Sequence, residues 1–194
     1  MYYVIDCVEP DDPDEDDLGY YELDESLTIA GISSWSIGQK FSVAVPKPLI
    51  IPITAEDECD GDPLELYDYN IPLMTSRLKE AFTAAGVDNI DFYDAILRDS
   101  ENNKEFHYFA FNVIGLVSAV DLRKSSLSSF DGDYKIDSSI RGMTIDKTRT
   151  QNLLCFRLLE NVKTLVVHEK IKNSIENMGV DTIVFYEPND YVQI

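Results

Sequence analysis

Leu78-Lys79-Glu80-Ala81-Phe82-Thr83-Ala84-Ala85-Gly86-Val87-Asp88-Asn89-Ile90-Asp91-Phe92-Tyr93-Asp94 reads as a helix, a glycine turn and a strand. Met74, Leu78, Phe82 and Ala85 recur at helical spacing, Thr75 or Ser76 supplies a cap, and Gly86 a stop. This predicts a helix over 74–85 and a strand over 89–97. The pattern returns further along the chain. Ile171-Lys172 leads to Met178-Gly179-Val180-Asp181-Thr182-Ile183-Val184-Phe185-Tyr186-Glu187, with every position shifted by the same 93 residues. Leu78 pairs with Ile171, Phe82 with Ile175 and Ala85 with Met178. Glycine in each turn suits a left-handed helix cap. Two similar α–β corners in one domain account for the echo, and one match does not establish a duplication.

The rest of the chain supplies mostly strands. Residues 106–117 read as a strand, and the Asp99–Asn103 turn predicts a hairpin with the strand before it. Residues 2–8 have the aromatic and β-branched content of another. Residues 40–53 are strand material broken by Pro46, Pro48 and Pro52, which suits a sheet edge. Residues 124–135 read as a loop, 140–146 as a short strand, and 153–159 as an apolar run of either kind. Thr164 to Val167 is a strand feeding a helix over 169–178, whose apolar face is Ile171, Ile175 and Met178. Residues 182–186 close the sheet. The fold class expected is α+β, a mixed, mostly antiparallel sheet with two or three packed helices. An acidic, β-rich portion over 1–70 and an α+β portion over 71–194 are expected to form one globular unit.

Charge separates these two portions. The chain has 36 acidic and 16 basic residues in 194, a net charge of −20. Residues 1–70 carry 18 acids against Lys40 and Lys47, so about −16 of the excess lies there. A polyanion has no general attraction for nucleic acid or for an anionic membrane, which excludes both as partners. With 44% hydrophobic residues, including 11 Tyr and 9 Phe, the chain still fills a core. No run approaches the ~18 apolar residues that span a bilayer. The start, Met-Tyr-Tyr-Val-Ile-Asp-Cys, lacks the features of a signal peptide, so a cytoplasmic protein is expected. Cys7, Cys59 and Cys155 are odd in number and widely spaced, which points to reduced thiols.

The search for chemistry yields little. The acidic stretch from Asp14 places Asp16, Gly19, Glu22 and Glu25 at calcium-loop positions. Leu18 falls at a ligand position and Pro10 and Pro13 block the entering helix, so solvated loops or a surface for a basic protein are preferred. A calcium-responsive module stays as an alternative, as does an enzyme working through paired carboxylates. His107, in an aromatic strand, and His168, at a helix start, read as structural. Arg157, a cation in the apolar run Cys155-Phe156-Arg157-Leu158-Leu159-Glu160, predicts a buried ion pair, with Glu160 as the nearest acid. Asp121 reads as a local cap or pair. Trp35 reads first as core and, if exposed, as an interface anchor. No cofactor or metal site is predicted.

The later part of the chain resembles a known family. The resemblance rests on Leu78-Lys79-Glu80-Ala81 leading to Gly86-Val87-Asp88-Asn89-Ile90-Asp91-Phe92-Tyr93. It continues through Phe111-Asn112-Val113-Ile114-Gly115-Leu116-Val117-Ser118-Ala119-Val120-Asp121, then Phe156-Arg157-Leu158 and Val166-Val167-His168-Glu169-Lys170. Together these are similar to the eleventh immunity-protein family of bacterial polymorphic toxin systems, once a domain of unknown function. His168 stands where a small hydroxyl residue is expected, and the acidic first third is weakly covered. The resemblance implies a non-enzymatic protein that binds and neutralises a cognate toxin. Acidic clusters suit a basic toxin, since they steer its approach. The partner-binding residues expected on that basis are Asp11, Asp12, Asp14, Glu15, Asp16 and Asp17 in one cluster and Asp57, Glu58, Asp60 and Asp62 in the other. Tyr20, Tyr21, Tyr67, Tyr69 and Trp35 are the aromatic anchors expected beside them.

Overall fold

The computed structural model describes residues 1–7, 21–24, 26–55, 62–128 and 139–193. Its elements run β1 (Tyr2–Cys7), β2 (Tyr21–Leu23), β3 (Leu49–Ala55), β4 (Leu66–Tyr67), β5 (Leu73–Thr75) and α1 (Ser76–Ala84). They continue with β6 (Ile90–Asp99), β7 (Lys104–Val113), β8 (Leu116–Val117), β9 (Leu127–Ser128), β10 (Ser139–Arg141) and β11 (Cys155–Leu158). The last are β12 (Leu165–His168), α2 (Glu169–Asn177), β13 (Ile183–Tyr186) and β14 (Val192–Gln193). The fold is α+β, with mixed sheets that are mostly antiparallel. One sheet has the order β2-β3-β6-β7-β5-β4, a second β13-β1-β12-β11-β8, and a small third β14-β10-β9. Residues from both sides of position 70 enter each of the two larger sheets.

The echo extends well beyond the two corners. In the first sheet β7 lies between β5 and β6, antiparallel to both, and α1 links those two strands. In the second, β1 lies between β12 and β13, antiparallel to both, and α2 links them. The registers match. Phe109 of β7 faces Met74, and Tyr3 of β1 faces Val167, the residue at the position corresponding to Met74. Phe111 faces Phe92, and Ile5 faces Phe185. The flanking strands correspond as well: Leu66 and Tyr67 pair with β5 as Cys155 and Phe156 pair with β12.

Side chains repeat the correspondence. Thr75 caps α1 by accepting from the Leu78 N–H, and His168 caps α2 by accepting from the Lys170 N–H. Gly86 and Gly179 follow the helices at φ of 89° and 69°, where a side chain would be strained. Lys79 Nζ lies 5.3 Å from the Phe92 ring centre and 3.5 Å from that of Phe109. Lys172 Nζ lies 4.6 Å from the Phe185 ring and 5.6 Å from the Tyr3 ring. In each unit the cation caps an edge-to-face ring pair, at 6.4 Å in one and 6.3 Å in the other.

Two contacts join corresponding positions directly. Ser174 Oγ donates to the Ala81 carbonyl at 2.8 Å, across 93 residues of sequence, where the helices pack. Arg157, 1% exposed, grips Asp68 with both terminal nitrogens at 2.6 and 2.5 Å, across 89 residues. Asp68 follows Tyr67 as Arg157 follows Phe156, so this ion pair also joins counterparts. The expectation that Glu160 would take Arg157 is corrected here. Glu160 accepts from Ser118 Oγ at 2.7 Å, and Arg157 reaches across the seam between the sheets.

Both helices cover one face of the paired units, where Leu78, Phe82, Ile171 and Ile175 meet strand residues of both sheets. The other faces have unlike covers. Over the first sheet lies the segment 26–45, anchored by Trp35 and Val45. Over the second lie Ala119, Val120, Ile140 and Met143, next to the small sheet. Two strand expectations change. Strand β3 begins only at Leu49 and has β2 and β6 as neighbours, each along a different stretch. Its residues 49–52 pair with β6 and 53–55 with β2, and Pro52 sits where the partner changes. The strand expected over 106–117 divides at residues 114–115, where the chain crosses to the other sheet and β8 pairs with β11.

Removing one member of the buried ion pair leaves the other charged without a partner. Asp68→Asn is expected to lower unfolding stability by about 3–5 kcal/mol. The double change Asp68→Leu with Arg157→Met should recover most of that loss. Urea unfolding followed by circular dichroism measures both.

Candidate functional site

A cleft of about 610 Å³ opens between the two covers, over the seam where β1 meets β4. Its floor is formed by Val4, Ile5 and Asp6 of β1 and by Asp68 just after β4. One wall is the 27–36 segment, and the other carries Val162, Lys163 and Tyr191. A neighbouring hollow of about 430 Å³ shares Asp6, Tyr191 and Gln193 and adds Asp190 and Val192. Asp6 therefore stands between the two spaces.

The carboxylates of the floor differ in their engagement. Asp68 is held on both oxygens by Arg157. Asp6 accepts the Cys7 N–H at 2.9 Å on Oδ1, and no ion pair reaches it among the described residues. Partial loss of water pushes the Asp6 carboxyl above its ordinary value, the Cys7 N–H opposes this, and the charge of Asp68 adds to it. Burial likewise raises the Tyr191 hydroxyl, with Asp6 and Asp68 contributing. Tyr69, 53% exposed, lies at the cleft, and Val192, 58% exposed, lines the neighbouring hollow. An exposed carboxylate that makes no ion pair among the described residues, with an exposed ring at the same cleft, is suited to receive a cation carried on an apolar stem.

The residues expected from sequence to contact a partner fall into three groups. Asp11, Asp12, Asp14, Glu15, Asp16, Asp17, Tyr20, Asp57, Glu58 and Asp60 lie outside the described residues. So do Cys59 and most of the calcium-loop positions weighed above. Tyr21, Trp35 and Tyr67 are buried, at 3%, 4% and 2% exposed, and serve the core. As anchors open to a partner they are corrected. Trp35 packs edge-on between Phe41 and Tyr93, Tyr21 packs on Phe106, and the Tyr67 hydroxyl accepts the Leu64 N–H. Asp62 and Tyr69 remain exposed, and Tyr69 is at the cleft.

Other residues singled out from sequence have local roles. His168 is the α2 cap. Asp121 accepts the Arg123 N–H and pairs with Lys124 at 3.3 Å. His107 is exposed on β7. Cys7 and Cys155 form no disulfide among the described residues, and burial pushes the Cys155 thiol up to about 12. Among the described residues no group of three or more His, Cys, Asp or Glu could hold a metal ion, and no helix is long and apolar enough to cross a membrane.

Sequence reasoning did not identify Asp6 and Asp68 as cleft residues. Asp6 had a usable signal, a single acid within the apolar strand Tyr-Tyr-Val-Ile-Asp-Cys-Val. Asp68 had none, because its meaning depends on Arg157, far along the chain. The sequence model of a family described as Immunity protein family (Imm11) matches residues 37–190. No curated protein matches the chain.

A carboxyl whose value is raised on folding disfavours the folded state wherever it is ionised in both states. Asp6→Asn is therefore expected to raise the melting temperature at pH 7. The gain should shrink as pH falls through the raised value of Asp6 and vanish well below the ordinary 3.8. Thermal melts across that range measure it.

Proposed function

The chain belongs to the Immunity protein family (Imm11), and on that premise we propose that it binds and neutralises a cognate bacterial toxin inside the producing cell. The family suggests toxin immunity and a non-enzymatic inhibitor. The observation that carries the finer reading is the charge distribution. About −16 of the net −20 lies in residues 1–70, largely in two clusters. Such a field attracts a basic protein and repels nucleic acid and anionic membrane, so the toxin proposed is basic and acts in the cytoplasm. Asp11, Asp12, Asp14, Glu15, Asp16 and Asp17, with Asp57, Glu58, Asp60 and Asp62, are its steering residues. Tyr20 and Tyr69 are the contact aromatics beside them. Inhibition needs no chemistry on the part of this chain. A desolvated, complementary surface held over the toxin's active site, or against a moving part of it, is sufficient.

Co-expression with the product of the adjacent reading frame tests the proposal. Protection of the host, with recovery of a stoichiometric complex, is the expected outcome, and a toxic product that neither binds nor is neutralised would refute it. Steering has its own signature. The association rate should fall at least about tenfold between low salt and about 0.5 M salt, because exposed charges are screened. Replacing the six acids from Asp11 to Asp17 by their amides should lower the association rate by a similar factor and leave dissociation nearly unchanged. Stopped-flow mixing at a series of salt concentrations measures both.

A further inference from the structure

Most of the acidic excess can act at a distance, but Asp6 is placed for contact. It is an exposed residue of strand β1, at the floor of an open cleft rather than on a loop. Its nearest acidic neighbour, Asp68, is already neutralised by Arg157. One of its oxygens accepts from Cys7, and the carboxylate makes no ion pair among the described residues. Lys163, an exposed residue, is the cation along the cleft wall. On the far side Asp190 adds a second acid in the neighbouring hollow. Tyr69, at the cleft, and Val192, in that hollow, are the two most exposed large hydrophobic residues described.

We propose that this cleft seats a lysine or arginine side chain on a projecting loop of the bound toxin, with Asp6 receiving the cation and Tyr69 packing along its stem. This deepens the reading above and rests on it. A basic side chain is the occupant for three reasons. A carboxylate that makes no ion pair among the described residues gains most from a charged donor. The long stem of lysine or arginine can lie along the exposed Tyr69 ring while its head reaches the acid. The cleft is also of the size that takes several side chains, so a loop can enter rather than a lone ion.

Contact and steering separate kinetically. Loss of a contact at the floor speeds dissociation, whereas loss of steering slows association. The test uses the full chain and the purified product of the adjacent reading frame, with binding rates measured for the parent, Asp6→Asn, Thr28→Trp and Asp94→Asn. Thr28 is an exposed residue of the cleft wall, and a tryptophan there would partly fill the space. Asp94, exposed on β6, is the remote acidic control. The expected result is dissociation at least about tenfold faster for Asp6→Asn and for Thr28→Trp, with Asp94→Asn like the parent. Asp6→Asn should melt no lower than the parent, so its loss of binding would not reflect unfolding. Binding by Asp6→Asn and Thr28→Trp as tight as the parent's would overturn the cleft as the seat and leave the immunity function standing. Equal weakening by Asp6→Asn and Asp94→Asn, confined to association, would reduce Asp6 to steering and overturn it as well. No binding by the parent would overturn the functional reading itself, and this inference with it.

Discussion

The contact between Arg157 and Asp68 is the constraint around which the structure is arranged. Two matching units meet so that corresponding residues face each other at their junction. Identical residues there would set acid on acid or base on base in a place with little water, at a cost of several kcal/mol. Opposite charges at the two counterpart positions turn that liability into a bidentate bond. The helices meet under the same rule. At their crossing, small residues face each other, and the Ser174 hydroxyl donates to the Ala81 carbonyl. Larger side chains at these two positions would hold the helices apart and open the shared core beneath them.

Below this junction the units are alike, and above it they differ. The helical face is built twice from the same parts, down to a lysine placed over two rings. The opposite face is covered on one side by an irregular segment carrying Trp35 and on the other by a small sheet. A cleft is left because the two covers do not meet over the seam. The ion pair shapes what the cleft presents. It neutralises Asp68 and leaves Asp6 beside it as the open carboxylate.

The local parts of this arrangement were legible in the sequence, and the non-local parts were not. Both helices, their caps, their glycine stops and the strands after them follow from spacing within about twenty residues. The 93-residue echo was visible because helix, turn and strand stay contiguous in both units. Its continuation into the middle strands was hidden. In one unit that strand is residues 104–113, following its corner, and in the other it is residues 2–7, long before it. No fixed offset brings Phe109 onto Tyr3 together with the rest. Arg157 was rightly expected to be paired, but a reading limited to near neighbours offered Glu160 and had no means of reaching Asp68. Tyr21 and Tyr67 were offered as anchors because they adjoin acids, and Trp35, read first as core, as an anchor if exposed. Aromatic rings beside charge serve a core as readily as an interface, and only their burial separates the two roles.

The swapped order of the middle strand also sets the timing of assembly. Strand β7 emerges directly after β6 and can close on it as a hairpin at once. Strand β1 has β12 and β13 as its two neighbours, so Tyr2, Val4 and Ile5 gain no strand partner until those segments have left the ribosome. At ordinary rates of synthesis that interval is on the order of ten seconds. During it an apolar strand with two open edges is available to chaperones or to the wrong neighbour. Two units that match in space are thus completed at different times during translation.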